Sequence, residues 1–126
     1  MKKCAIEAEP LQAIGPYSLA IEANGTLFTS GQIHLDPATG KLVQGSIAEQ
    51  TRQCLQNLGY ILDSAGYTFG DLVKTTVFLV DMADFTEMNA VYDTYVIAPF
   101  PARSTVQVGG LPLGARVEIE AIAKKM

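Results

Sequence analysis

Arg103, Glu118 and Glu120 are the side chains of this sequence with the most chemistry to offer. Arg103 follows Pro101-Ala102 at the start of an extended stretch. Its planar guanidinium suits two-point capture of a small carboxylate or phosphate better than an ammonium does, and it serves equally as a rim cation or an ion-pair partner. Glu118 and Glu120 are two residues apart on the last extended stretch and so share one face of a strand, while Val117, Ile119 and Ala121 face the other way. A carboxylate on a covered face needs a counter-charge, a water or a ligand. For Glu118, an inter-subunit ion pair with Arg116 or Lys74 stands level with a role in a site.

Around these three lie residues with weaker signals. Tyr17 follows Gly15-Pro16 at the mouth of a hairpin, where its hydroxyl could meet a ligand or its ring could simply pack. Ser30-Gly31 could offer a backbone amide to an anion, and a strand bulge explains the glycine as well. His34, the single histidine, reads as a surface residue or an interface hydrogen-bonder, and Cys54 as part of an apolar core. The two cysteines are Cys4 and Cys54, with no CxxC and no His/Cys cluster, so neither a disulfide framework nor a zinc site is expected. GxGxxG, P-loop, GxSxG and HExxH are absent, and a lone histidine beside a turn gives a Ser/His/Asp triad little support.

The elements that must position these side chains are legible. Tyr17 to Ala23 alternates and ends at Asn24-Gly25, a strong hairpin signal, and Thr26 to Ile33 returns beside it. A turn at Asp36 to Gly40 leads into a short strand, Lys41 to Val43. Ser46 with Glu49 forms a capping box ahead of a helical apolar repeat that Gly66 stops. Val73 to Val80 is a buried strand; Asp84 with Glu87 repeats the capping pattern for a helix carrying Phe85, Met88, Val91, Tyr92 and Tyr95. Arg103 to Val108 and Arg116 to Ala123 complete the order βββ-α-β-α-ββ: an α+β fold, one domain over residues 1–126, with a mixed sheet and two helices packed on one face. The strands carry apolar residues on both faces, so a second chain is expected on the uncovered side.

Composition agrees. The 9 Lys and Arg against 13 Asp and Glu give a net charge of -4 with no basic stripe, which argues against a nucleic-acid partner. Only 17% of residues are charged, leaving less surface for water than the usual quarter and favouring an oligomer. No apolar run nears the ~20 residues of a membrane span, and Met1-Lys2-Lys3 meets no apolar signal region. The expectation is a soluble, cytoplasmic protein without a metal.

Taken together, Ile14-Gly15-Pro16-Tyr17, Thr29-Ser30-Gly31-Gln32-Ile33, Val73-Lys74-Thr75-Thr76-Val77-Phe78, Asn89-Ala90-Val91-Tyr92, Pro101-Ala102-Arg103-Ser104 and Val117 to Ala123 resemble the RidA family, the reactive intermediate deaminases or YjgF-type proteins. Each motif alone is weak; six in order from Ala13 to Ala123 are specific. The resemblance implies a chorismate-mutase-like fold, a homotrimer with sites between subunits, and no cofactor. It implies hydrolysis of 2-imino acids (2-iminobutanoate and 2-iminopropanoate, with their enamine tautomers) to 2-oxo acids and ammonia, which protects pyridoxal-phosphate enzymes. By the same resemblance Arg103 clamps the substrate carboxylate and Glu120 holds and polarises the attacking water. Tyr17 lines the cleft, Ser30 and Gly31 lie beside the ligand, and Asn89 is near. Thr105 stands where many members have cysteine; its backbone carbonyl is expected to help hold the water, with an altered rate or substrate range.

An electrophilic imine carbon demands neither metal nor covalent nucleophile, so an anchored carboxylate and a positioned water suffice. The other readings are a non-catalytic trimer that binds small carboxylates or acts as a chaperone-like surface, a deaminase of a different imine, and an endoribonuclease or translation inhibitor.

Overall fold

Asn24 and Gly25 take φ of 54° and 72°, the left-handed pair of a type I′ turn, and fold two strands back to back. Those strands belong to a computed structural model that describes residues 2–125. In chain order the elements are β1 (Cys4–Ile6), β2 (Ala20–Ala23), β3 (Thr26–Thr29), β4 (Gln32–Ile33), β5 (Leu35–Asp36), β6 (Lys41–Leu42), α1 (Ile47–Ala65), β7 (Leu72–Leu79), α2 (Phe85–Asp93), β8 (Ala102–Gln107) and β9 (Val117–Lys124). The main sheet runs β1-β2-β3-β9-β7-β8, with β4 also paired to β9. All its pairings are antiparallel except β7 with β8, so the sheet is mixed as expected.

The expected α+β order holds, with refinements at the short strands. The expected strand from Thr26 to Ile33 breaks in two at Ser30-Gly31. Lys41–Leu42 leaves the main sheet and pairs with Leu35–Asp36 as a separate hairpin. Ahead of β2, the Tyr17 amide closes a tight turn onto the Gly15 carbonyl at 2.8 Å, so the strand begins only at Ala20. The strand Cys4–Ile6, too short for alternation to reveal, adds an edge beside β2.

Helix α1 is fixed at both ends as its sequence dictates. Ser46 Oγ accepts from the Glu49 amide at 3.1 Å, and Glu49 Oε1 accepts from the Ser46 amide at 3.3 Å. Gly66 ends the helix with φ of 82°. The second capping expectation fails. A 3₁₀ turn over Met82–Asp84 draws Asp84 into the helical run, and Asp81 Oδ1 caps that turn by accepting from the Ala83 amide at 2.9 Å. Glu87 instead reaches across to α1, where its Oε2 accepts from the Ala48 amide at 3.1 Å.

The core lies between the helices and one sheet face. Leu55, Leu58, Ile61 and Leu62 of α1 meet Val77 and Leu79 of β7 and Val117 and Ile119 of β9, all essentially without solvent contact. Cys54 is buried there, and burial pushes its thiol well above the ordinary range. Among the described residues, no helix covers the opposite face. Phe28 is 47% exposed and Val106 42% exposed on that side, flanked by half-buried Phe78, Glu118, Glu120 and Ile122. Among the described residues, no helix is long and apolar enough to cross a membrane.

His34 corrects an expectation. It is no surface residue but 2% exposed, with Nε2 accepting from the Arg116 amide at 3.0 Å. Nδ1 therefore carries the proton and donates to the Val43 carbonyl at 3.0 Å. Burial, aided by the Arg116 charge, lowers the imidazole from its ordinary 6.5. The unfolded chain thus takes up the proton first, so this stabilisation is full above pH 6.5 and is lost as pH falls through the lowered folded-state value. His34→Leu strands the Arg116 amide, while the Val43 carbonyl keeps the Gln50 Nε2 donor at 3.3 Å, and should cost about 1–3 kcal/mol at neutral pH. Urea unfolding across the acid range checks this: the gap between wild type and His34→Leu should narrow as pH falls.

Candidate active site

Arg103 lies on β8, an edge strand, opposite Thr75 of the parallel neighbour β7. Its side chain turns to the helix side of the sheet. There Phe85, Asn89 and Tyr92, spaced i, i+4, i+7, form one stripe of α2. Arg103 Nη1 donates to Asn89 Oδ1 at 2.7 Å. The guanidinium carbon sits 4.7 Å from the centre of the Tyr92 ring and 5.5 Å from that of Phe85. Nη2 and Nε, the adjacent pair that grips a carboxylate side-on, make no hydrogen bond among the described residues. Asn89, Tyr92, Phe100 and Arg103 line a cavity of about 360 Å³.

Thr105 follows two residues later on the same face of β8, and its Oγ1 is buried without a partner among the described residues. Tyr17 lies in the loop before β2, 49% exposed. With Ile14, Gly31 and Leu113 it lines a second cavity, of about 400 Å³. Ser30 supports that loop: its Oγ donates to the Ser18 carbonyl at 2.6 Å and its amide to the Leu19 carbonyl at 2.9 Å. The hydroxyl of Ser30 is thus already engaged by backbone.

The two carboxylates stand on the opposite face of the sheet. Glu120 lies across from Thr76 of β7, and Glu118 across from Phe78 and from Ile33 of β4. Burial, followed by the neighbouring Glu120 carboxylate, raises Glu118 above the ordinary carboxylate range. Both cations weighed as inter-subunit partners for Glu118 are engaged within their own chain. Arg116 Nη2 pairs with Asp84 Oδ2 at 3.3 Å, and Lys74 Nζ donates to Ser104 Oγ at 2.9 Å.

The structure thus brings Arg103 to Asn89, and Tyr17 to Gly31, but separates Arg103 from Glu120. Thr75 and Ala121 are register partners, as are Thr76 and Glu120; Arg103 follows the Thr75 side, which bonds to α2, and Glu120 the other. A small acid held by one chain's Arg103 cannot also touch that chain's Glu120. Phe85 and Tyr92 escaped the sequence reading because an apolar stripe reads as core; their spacing around Asn89 was the available signal.

The sequence profile of the family described as Endoribonuclease L-PSP matches residues 7–125. The chain belongs to this family, which includes the RidA-type proteins. A mouse relative, named 2-iminobutanoate/2-iminopropanoate deaminase, is 53% identical over 88% of this chain and 82% of its own. An Arabidopsis relative, named Reactive Intermediate Deaminase A, is 49% identical over 98% of this chain and 66% of its own. Among solved structures, Escherichia coli TdcF with bound serine superposes with a TM-score of 0.90 at 39% identity, covering 98% of this chain and 99% of that one. The fold of this RidA-type chain is therefore that of its family. Among the described residues no group of three or more His, Cys, Asp or Glu is placed to hold a metal ion.

Gly31 packs under the Glu118 side chain. A Cβ on Gly31 would meet the Glu118 Cδ at 2.7 Å and Cγ at 2.9 Å, closer than packed atoms tolerate. Gly31→Ala therefore requires the flexible Glu118 side chain to turn aside and should destabilise the protein by no more than about 1 kcal/mol. Glu118→Ala in the same chain should recover most of that loss, measured as a double-mutant cycle in urea.

Proposed function

We propose that this chain is a 2-iminobutanoate/2-iminopropanoate deaminase, hydrolysing 2-imino acids to 2-oxo acids and ammonia. The observation that carries the reading is identity of about half the residues, over most of the chain, with relatives named for that activity. The free guanidinium edge of Arg103 supports it, since every such substrate carries a carboxylate beside the reacting carbon.

In this reading the Nη2–Nε edge of Arg103 accepts the substrate carboxylate and fixes the imine carbon in place. Glu120 holds a water and takes its proton as the oxygen bonds to that carbon. Glu120 then passes that proton to the nitrogen, the hydroxyl proton follows it there, and the carbon–nitrogen bond breaks as the 2-oxo acid forms and ammonia departs. The Thr105 backbone carbonyl helps orient the water, Ser30 and Gly31 lie beside the ligand, and Tyr17 closes the cleft. Because Arg103 and Glu120 of one chain face apart, we assign the site to the junction of two copies in a homotrimer. The apolar side chains on the helix-free face support such contact. The setting is the cytoplasm, and the occupant is the small acid rather than RNA, in keeping with the net charge of -4.

The test couples a threonine dehydratase to the protein and follows release of 2-oxobutanoate. Arg103→Ala should abolish the acceleration, whereas Arg103→Lys should raise KM by about tenfold by losing the fork. Glu120→Gln should lower turnover by roughly 10²–10⁴-fold while binding of unreactive 2-oxobutanoate persists. Thr105→Ala keeps the carbonyl and should stay active, and a chelator should change nothing. Unaltered turnover in both Arg103→Ala and Glu120→Gln would refute the mechanism, and binding without turnover in the wild type would favour a small-acid sensor.

A further inference from the structure

A guanidinium on an edge strand has several rotatable bonds, and the side chain of an arginine loses affinity for a planar acid in proportion to the freedom it must surrender. Arg103 has already surrendered most of it. Asn89 Oδ1 holds Nη1 at 2.7 Å, which fixes one corner of the guanidinium. One hydrogen bond leaves rotation about that corner open. The Tyr92 ring closes it: with the guanidinium carbon 4.7 Å from the ring centre, the cation lies over the π face, the arrangement its charge prefers.

Tyr92 is itself unable to swing away. It is buried, and its hydroxyl is 2.7 Å from Thr75 Oγ1, a residue that is 1% exposed. Thr75 is also the register partner of Arg103 on the adjacent strand. Ring and arginine are therefore referred to the same point of the sheet. The sheet holds Thr75, Thr75 holds the Tyr92 hydroxyl, and the ring holds the plane of the cation. Phe85, 5.5 Å from the guanidinium carbon, adds a second aromatic neighbour.

We infer that Tyr92 is a positioning residue: its ring, tethered by Thr75, is the shelf that presets the plane of Arg103 so that the Nη2–Nε edge meets the substrate carboxylate. The inference rests on the deaminase reading of the site and extends it to a residue that touches no reacting atom. A shelf of this kind acts on binding of the acid, not on the attack of water, so its loss appears in KM and in the affinity for an unreactive acid.

The experiment measures two things on the intact oligomer. Calorimetry gives the affinity for 2-oxobutanoate. Nitrogen–proton spectra of ¹⁵N-labelled protein follow the Arg103 Nε–H signal, identified by its loss in Arg103→Lys and displaced by the ring current of Tyr92. Tyr92→Leu removes the shelf and should weaken 2-oxobutanoate binding by about tenfold, move the signal toward that of a free arginine, and leave turnover at saturation within about threefold. Tyr92→Phe keeps the ring but loses the tether, as Thr75→Val does, so both should fall between wild type and Tyr92→Leu in affinity and in signal, a partial rescue that mere loss of packing volume would not require of the signal. Should Tyr92→Leu not fold, Thr75→Val releases the tether without touching the ring and should shift the same signal and weaken binding. An unmoved signal and unchanged affinity in folded Tyr92→Leu or Thr75→Val would overturn the shelf. Unchanged affinity in Arg103→Lys would instead refute the assignment of the site, and the Nε–H signal would still decide the shelf.

Discussion

Period-two alternation along β7, β8 and β9 is the constraint on which the rest of this structure depends. In β9 it sends Val117, Ile119, Ala121 and Ala123 into the core and leaves Glu118, Glu120 and Ile122 on the side without helices. The pairing of Thr75 with both Arg103 and Ala121 carries that division across three strands. A slip of one residue would bury two carboxylates among leucines and expose the core, so the register is held by burial itself. The same alternation dictates the site. It puts Arg103 on the helix side and Glu120 on the open side, so in the proposed mechanism a second chain must bring the two together.

Much of this was legible in the sequence, because the deciding signals are local. Ser46 with Glu49, Asn24-Gly25 and Gly66 each specify a backbone conformation within a few residues, and each does so in the structure. The alternation of Val-Glu-Ile-Glu likewise assigns the faces of β9 without knowledge of its partners. The segments carrying the family resemblance coincide with the strands and the helix that hold Arg103, Asn89 and Glu120.

What stayed hidden depends on contacts distant in sequence. Asp84 carries an ordinary capping signature, yet a preceding 3₁₀ turn and Arg116, far along the chain, redirect it. His34 looked like a turn residue because nothing local announces that the Arg116 amide and the Val43 carbonyl will close around it. Tyr92 reads as core until Arg103 is laid on its ring and Thr75 beneath its hydroxyl. In each case a polar group found its partner through the tertiary fold, which an intrinsic propensity cannot encode.

The central claim is that one catalytic unit takes Arg103 from one copy and Glu120 from another. Mixed assembly tests it most directly. Arg103→Ala and Glu120→Gln chains, each inactive alone, are unfolded together and refolded as mixed oligomers, then assayed for 2-iminobutanoate hydrolysis. A shared site rebuilds an intact pair wherever the two kinds of chain meet in the right order, so about a quarter of wild-type activity should return. Mixed oligomers as inactive as their parents would contradict the account.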